Sequence, residues 1–192
     1  YEENGAMKEI DNRLHTITDS DEEEKDEVYQ NTENSFQVKI SKNVKSEKLV
    51  RIKKDGYSLK WGIKDANING VNIKTNSLNG ANPEYIPTDS SNPEVAESLT
   101  EMDESERILY IPGLTSIVNF DEIRPGINLQ YVVDSTKVKE NIILKEKVEN
   151  PSFNFIYTTK GLKARLNEDK SVVFYDENDT NKIVMEIPAP IM

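Results

Sequence analysis

The 192-residue chain is long enough to enclose one β domain, or two small ones, around a real core. Its formal net charge of −11 and pI near 4.7 argue against non-specific binding to nucleic acid or anionic lipid. With no cysteine it lacks disulfides and thiolate metal sites, and its single histidine, His15, rules out His-rich metal sites and argues against a Ser-His-Asp triad.

Apolar residues make up 35%, below the roughly 45–50% usual for globular chains, so long polar loops beside a modest core are expected. No run approaches the ~18–20 apolar residues of a membrane span, and membrane insertion is not expected. The first residues lack a charged segment followed by an apolar one, so they do not read as a signal peptide. The chain is expected to be a fragment of a longer protein.

Met7, Ile10, Leu14 and Ile17 recur at spacings that fit a short helix. Ile10-Asp11-Asn12 equally fits a strand ending in an Asx turn, and irregular structure with a short strand is the expectation here. The charge run 18–27 reads as a solvated acidic loop. A Ca²⁺ site is the alternative, but the spaced D-x-D-x-D-G pattern is missing.

From Phe36 the period becomes two. Phe36, Val38 and Ile40 alternate with Gln37, Lys39 and Ser41, and 49–53 forms a second strand. Asp55-Gly56 is a hairpin turn, followed by Tyr57, Leu59, Trp61 and Ile63 on one face. Asn69-Gly70 marks another tight turn. The lysines of this region, with Arg51, read as outward strand positions whose charges discourage sheet-to-sheet aggregation. A polyanion-binding face is the alternative, and the acidic total charge speaks against it. Residues 74–92 form a polar loop, exposed and apolar-poor. Asn92, Pro93, Glu94 and Glu97 then open a short helix over 93–103, with Val95, Leu99 and Met102 on its inner face.

Strands resume at 108–111, break at Pro112-Gly113 and continue over 114–120. Pro125-Gly126 turns the chain into the clearest hairpin. Ile127, Leu129, Tyr131 and Val133 alternate inward, Asp134-Ser135-Thr136 breaks the run, and Val138, Ile142 and Leu144 resume it. Glu140 falls on the apolar face. A pairing with Lys137 or Lys139, or a face-switching bulge, would accommodate it. Phe153, Phe155 and Tyr157 alternate next, then Leu162, Ala164 and Leu166, then Val172 and Phe174, and finally Ile183, Met185 and Ile187. Short strands with regularly spaced turns predict an all-β fold, an antiparallel sandwich or barrel built as a meander of hairpins, with one short helix. A single sandwich-type domain over 1–192 is the expectation.

The stretch FDEIRPGINLQYVVDSTKVKENIIL resembles a pattern of bacterial wall-associated and Rhs-type YD-repeat proteins. In their β-rich N-terminal regions an aromatic precedes a PG-[VI]-[DN]-L-x-Y strand and then V-K-E-x-I-x-L. Those positions are Phe120, Pro125 through Leu129, Tyr131, and Val138-Lys139-Glu140 with Ile142 and Leu144. MKEIDNRL resembles the opening of the same region, IPAPIM its close, NSFQVKIS an early strand, and GLKARLNEDKSVVFYD its G-L-x-A segment. Asn128 departs from the commoner Asp, Met7 from Trp, and Lys170 stands where glycine would complete the last hairpin turn. The YD repeats themselves do not occur here.

The resemblance implies a structural or adhesive module of a large secreted or surface-attached protein. It implies no catalysis, no cofactor and no metal, and other domains of the same chain as partners. A carbohydrate- or cell-wall-binding module is the competing reading. It needs exposed aromatics, for which Trp61, Tyr57, Tyr85 and Tyr110 are the candidates, although Trp61 and Tyr57 share a face with Leu59 and Ile63 and read better as core. An enzyme such as a glycosidase needs two carboxylates across a cleft, and Glu140 is the one carboxylate unusually placed. A buried, paired glutamate is the expectation for it.

Overall fold

The computed structural model describes residues 1–19, 26–43, 47–64, 82–84, 115–149 and 151–191. Among these, every regular element is a strand. The all-β, antiparallel reading of the sequence therefore holds. The helix predicted over 93–103 and the turn at Asn69-Gly70 lie outside the described residues.

A small hairpin, β1 (Glu2–Glu3) and β2 (Ala6–Met7), opens the chain. It turns at Asn4-Gly5, both residues having positive φ. The large sheet follows as a meander of β3 (Asp11–Asp19), β4 (Asp26–Glu33), β5 (Gln37–Ser41), β6 (Val50–Lys54) and β7 (Tyr57–Ile63). The facing sheet contains β8 (Asn82–Glu84), β9 (Ser116–Arg124), β10 (Ile127–Val133) and β11 (Val138–Leu144) in sequential order. β8 lies inside the stretch predicted as an exposed loop. The chain then crosses back, and β12 (Phe155–Lys160) adds to the open edge of β7. A terminal sheet of β13 (Leu162–Leu166), β14 (Val172–Asp176) and β15 (Asp179–Ile187) completes the molecule.

The turns follow the chemistry read from the sequence. Asp55-Gly56 joins β6 to β7 with φ of 50° and 83°, and Gly126 joins β9 to β10 at φ 73°. Both central residues of the first turn have the positive φ that suits the right-handed twist of a hairpin. The β10–β11 ladder runs without a slip from Ile127↔Leu144 to Val133↔Val138. No bulge therefore switches faces at Glu140. The register shift falls instead between β9 and β10, where Glu122 takes φ 52°. Asn128 holds this irregularity: its side chain accepts from Glu122 N at 2.9 Å and donates to Asp121 at 2.6 Å.

The core forms where the large and facing sheets meet. Val38, Ile40, Val50, Leu59, Trp61 and Ile63 pack toward Val118, Phe120, Leu129, Tyr131 and Val133. Period-two alternation put these residues on one face, and water is excluded from that face. Leu162 and Phe174 of the terminal sheet join the same cluster. Leu144, predicted inward, is 42% exposed at the end of β11, the edge strand of its sheet.

Two further expectations are corrected. The segment around Leu14 and Ile17 is neither helical nor largely irregular: it is the nine-residue edge strand β3. Asp11 Oδ1 accepts from Arg13 N at 3.0 Å, so the Asx geometry starts this strand instead of ending one. And β5 is buried on both faces, Val38 and Ile40 on one and Lys39 and Ser41 on the other. Lys39 and Arg51 are thus not outward-pointing charges.

Candidate functional site

Glu140 has the most unusual environment of any described carboxylate. β11 pairs it with Tyr131 of β10, and both side chains point into the sandwich. Tyr131 OH donates to Glu140 Oε2 at 2.7 Å. From the large sheet, Trp61 Nε1 donates to the same oxygen at 3.0 Å. Trp61 meets Tyr131 edge-on with ring centroids 6.4 Å apart, and stacks on Tyr157 of β12 at 6.4 Å. Tyr157 in turn lies 6.2 Å from Phe174 of the terminal sheet. One carboxylate oxygen therefore ties two sheets together within an aromatic wall that reaches the third. Lys137 and Lys139 are not its partners: Lys137 pairs with Asp134, and Lys139 lies on the other face, opposite Val132.

The electrostatics follow from this enclosure. Burial pushes the Glu140 carboxyl above its ordinary value, and the two donated hydrogen bonds pull the other way without prevailing. Tyr131 is pushed well above its ordinary value by its own burial and then by the charge of Glu140. Tyr157 rises to about 12 for the same two reasons. Among the described residues no second carboxylate contributes to the shift of Glu140.

A second polar cluster lies on the opposite face of the large sheet. Asp19, at the end of β3, has 0% exposure. Its Oδ1 accepts from Lys39 Nζ at 2.8 Å, and its Oδ2 contacts the Arg51 guanidinium. Arg51 also donates from Nε to Lys48 O at 3.1 Å. Asp19 was read as part of a solvated charge run, and the buried cations explain the difference. A small pocket borders this cluster, lined by Asp19, Gln37, Lys39, Arg51, Lys53 and Ser58 among others. Its cations all have interaction partners, so the polyanion-binding alternative gains no free charge here.

A third cluster fastens the terminal sheet. Tyr57 OH donates to Asp176 Oδ2 at 2.6 Å and accepts from Lys182 Nζ at 2.8 Å. The Tyr57 bond holds the Asp176 carboxyl below its ordinary value, and the bond to Tyr57 holds Lys182 above its own.

Of the aromatic candidates, Trp61 is buried and Tyr57 half-buried, both at the core, while Tyr85 and Tyr110 lie outside the described residues. Tyr157 was not singled out as a candidate, yet it is 43% exposed. Its position on the outermost strand of the large sheet could not be read from local alternation. Among the described residues no group of His, Asp or Glu is arranged to hold a metal ion. No family model matches the chain, and no curated protein or solved structure matches it.

Proposed function

We propose that the chain is a non-catalytic structural and contact module of a large secreted or cell-surface bacterial protein of the YD-repeat (Rhs, wall-associated) type. The observation that carries the reading is how the buried polar groups are used. Glu140 joins the two facing sheets, Asp19 joins β3 to β5 and β6, and the Tyr57–Asp176–Lys182 trio joins the terminal sheet to the large one. In these three clusters the polar groups tie layers together, which supports a structural role. The motif from Phe120 to Leu144 supports the family, since its inward positions Leu129 and Tyr131 are fully buried and its glutamate is the cross-sheet link.

The sequence encoded downstream of Met192 tests the family. YD repeats there support it, and a catalytic domain without such repeats overturns it. The alternative, a cell-wall polysaccharide-binding module, is favoured by one feature, the half-exposed Tyr157 ring backed by Trp61. Tyrosine faces of this kind stack on sugars while one edge stays wet. Co-sedimentation with purified wall polymers decides it: retention lost on Tyr157→Ala supports the binding module, and no retention of the wild type removes it.

A further inference from the structure

Asp19, which is buried, and Glu140, which is partly buried, differ in how their charge is met. Asp19 faces two cations, Lys39 and Arg51. Among the described residues, Glu140 faces only neutral donors, Trp61 from β7 and Tyr131 from β10. The titratable groups turned toward it are Tyr131 and Tyr157, while Trp61, Phe155 and Phe174 beside them do not titrate. Neutral dipoles offset the cost of burying a carboxylate less completely than opposite charges do.

The geometry also leaves room for a proton. Both hydrogen bonds end on Oε2, so Oε1 can carry a proton while Oε2 goes on accepting from Trp61 and Tyr131. Protonation removes the charge without undoing the link between the sheets. Glu140 is partly exposed on a strand at the end of the facing sheet, so water can reach it to deliver that proton.

We propose that Glu140 is a proton-binding site built into the seam between the two sheets, and that mild acid stabilises the sandwich by neutralising it. The sign is fixed by linkage. A carboxyl raised on folding binds its proton more tightly in the folded chain, as burial makes it do here. Its contribution is fully present below the unfolded value and is lost as pH rises through the folded one. The proposal is independent of the family reading, because the measurement involves no wall polymer and no neighbouring domain.

Trp61 is the only tryptophan, so its fluorescence reports on the group it donates to. Wild type, Glu140→Gln and Tyr131→Phe would be titrated from ~pH 8 to ~pH 4 and also unfolded in urea at each pH. The wild type is expected to show an emission transition centred above the ordinary glutamate value, with the urea midpoint rising as pH falls through it. Glu140→Gln is expected to lose the emission transition and the part of the midpoint rise that accompanies it. Tyr131→Phe, which removes one donor to the charged form, is expected to move the transition up by about one pH unit. A transition that persists in Glu140→Gln, or a wild-type midpoint at or below the ordinary glutamate value, overturns the proposal. Should Glu140→Gln fail to fold, Tyr131→Phe decides: an upward shift supports the site, and an unmoved transition overturns it.

Discussion

Lys170 adopts φ 73° in the turn between β13 and β14, a left-handed conformation that costs a side-chain-bearing residue about 1–2 kcal/mol. The turn is otherwise well made: Asn167 N bonds Ser171 O at 2.9 Å, and Asp169 accepts from both the nitrogen and the hydroxyl of Ser171. Lys170→Gly is therefore expected to stabilise the protein by about 0.5–1 kcal/mol, less than the strain because glycine is freer when unfolded. The opposite change is expected at Gly161, where φ is 72° and an added Cβ would lie 3.1 Å from the Tyr57 ring. Gly161→Ala should lower the urea midpoint more than Gly5→Ala, which has similar φ but nothing within 4 Å. The turn residue was legible in the sequence, as a lysine where the pattern wants glycine. Asp19 was not, because its burial depends on Lys39 and Arg51, distant in sequence and brought to it only by strand pairing. Asp19→Asn removes the buried carboxylate that Lys39 and Arg51 share and is expected to lower the urea midpoint, by up to about 3–5 kcal/mol of stability. Arg13→Ala, at an exposed pair with Asp11, should cost no more than about 1 kcal/mol.

Strands buried on one face were readable because their apolar residues fall every second position, as in β7 and β10. β3 and β4 were not, for two physical reasons. In β3 the ladder is in register from Leu14 to Asp19, so Leu14 and Ile17, three apart, lie on opposite faces at a spacing that imitates a helix. In β4 the adjacent Val28 and Tyr29 are both buried, one on each face, and alternation disappears. Glu140 announced itself by breaking an alternating pattern, but its partner Trp61 belongs to another sheet and no local rule could supply it. The same holds for the junction of the terminal sheet, where Tyr57 reaches Asp176 and Lys182. Tyr57→Phe keeps the ring and its contact with Lys182 at 5.1 Å but removes both hydrogen bonds. It should cost about 0.5–1.5 kcal/mol. Hydrogen exchange is expected to quicken in β13, β14 and β15 and to stay unchanged in β5 and β6. Equal quickening throughout would mean that the trio is not a local fastening.

At the scale of the whole molecule, two causes can make this protein more stable in mild acid, and they are separable. The first is diffuse: a net charge of −11 repels itself, and protonating any surface carboxylate relieves it. The second is local, the neutralisation of Glu140 inside the seam. An opposing limb lies lower, because Asp11, Glu122 and Asp176 are held below their ordinary values by their partners. What those three contribute is present above their unfolded values and is lost as pH falls through their folded ones. Stability should therefore peak on the acid side of neutrality and fall again below the ordinary carboxylate range. Salt distinguishes the two causes of the rise. At ~1 M salt the screening length is about 3 Å, which removes repulsion between exposed charges but acts little on an enclosed carboxylate. In high salt the gain in urea midpoint on acidification should shrink for the wild type without vanishing, and the part that remains should be missing from Glu140→Gln. If salt abolishes the gain entirely in the wild type, the acid response belongs to the surface charge alone.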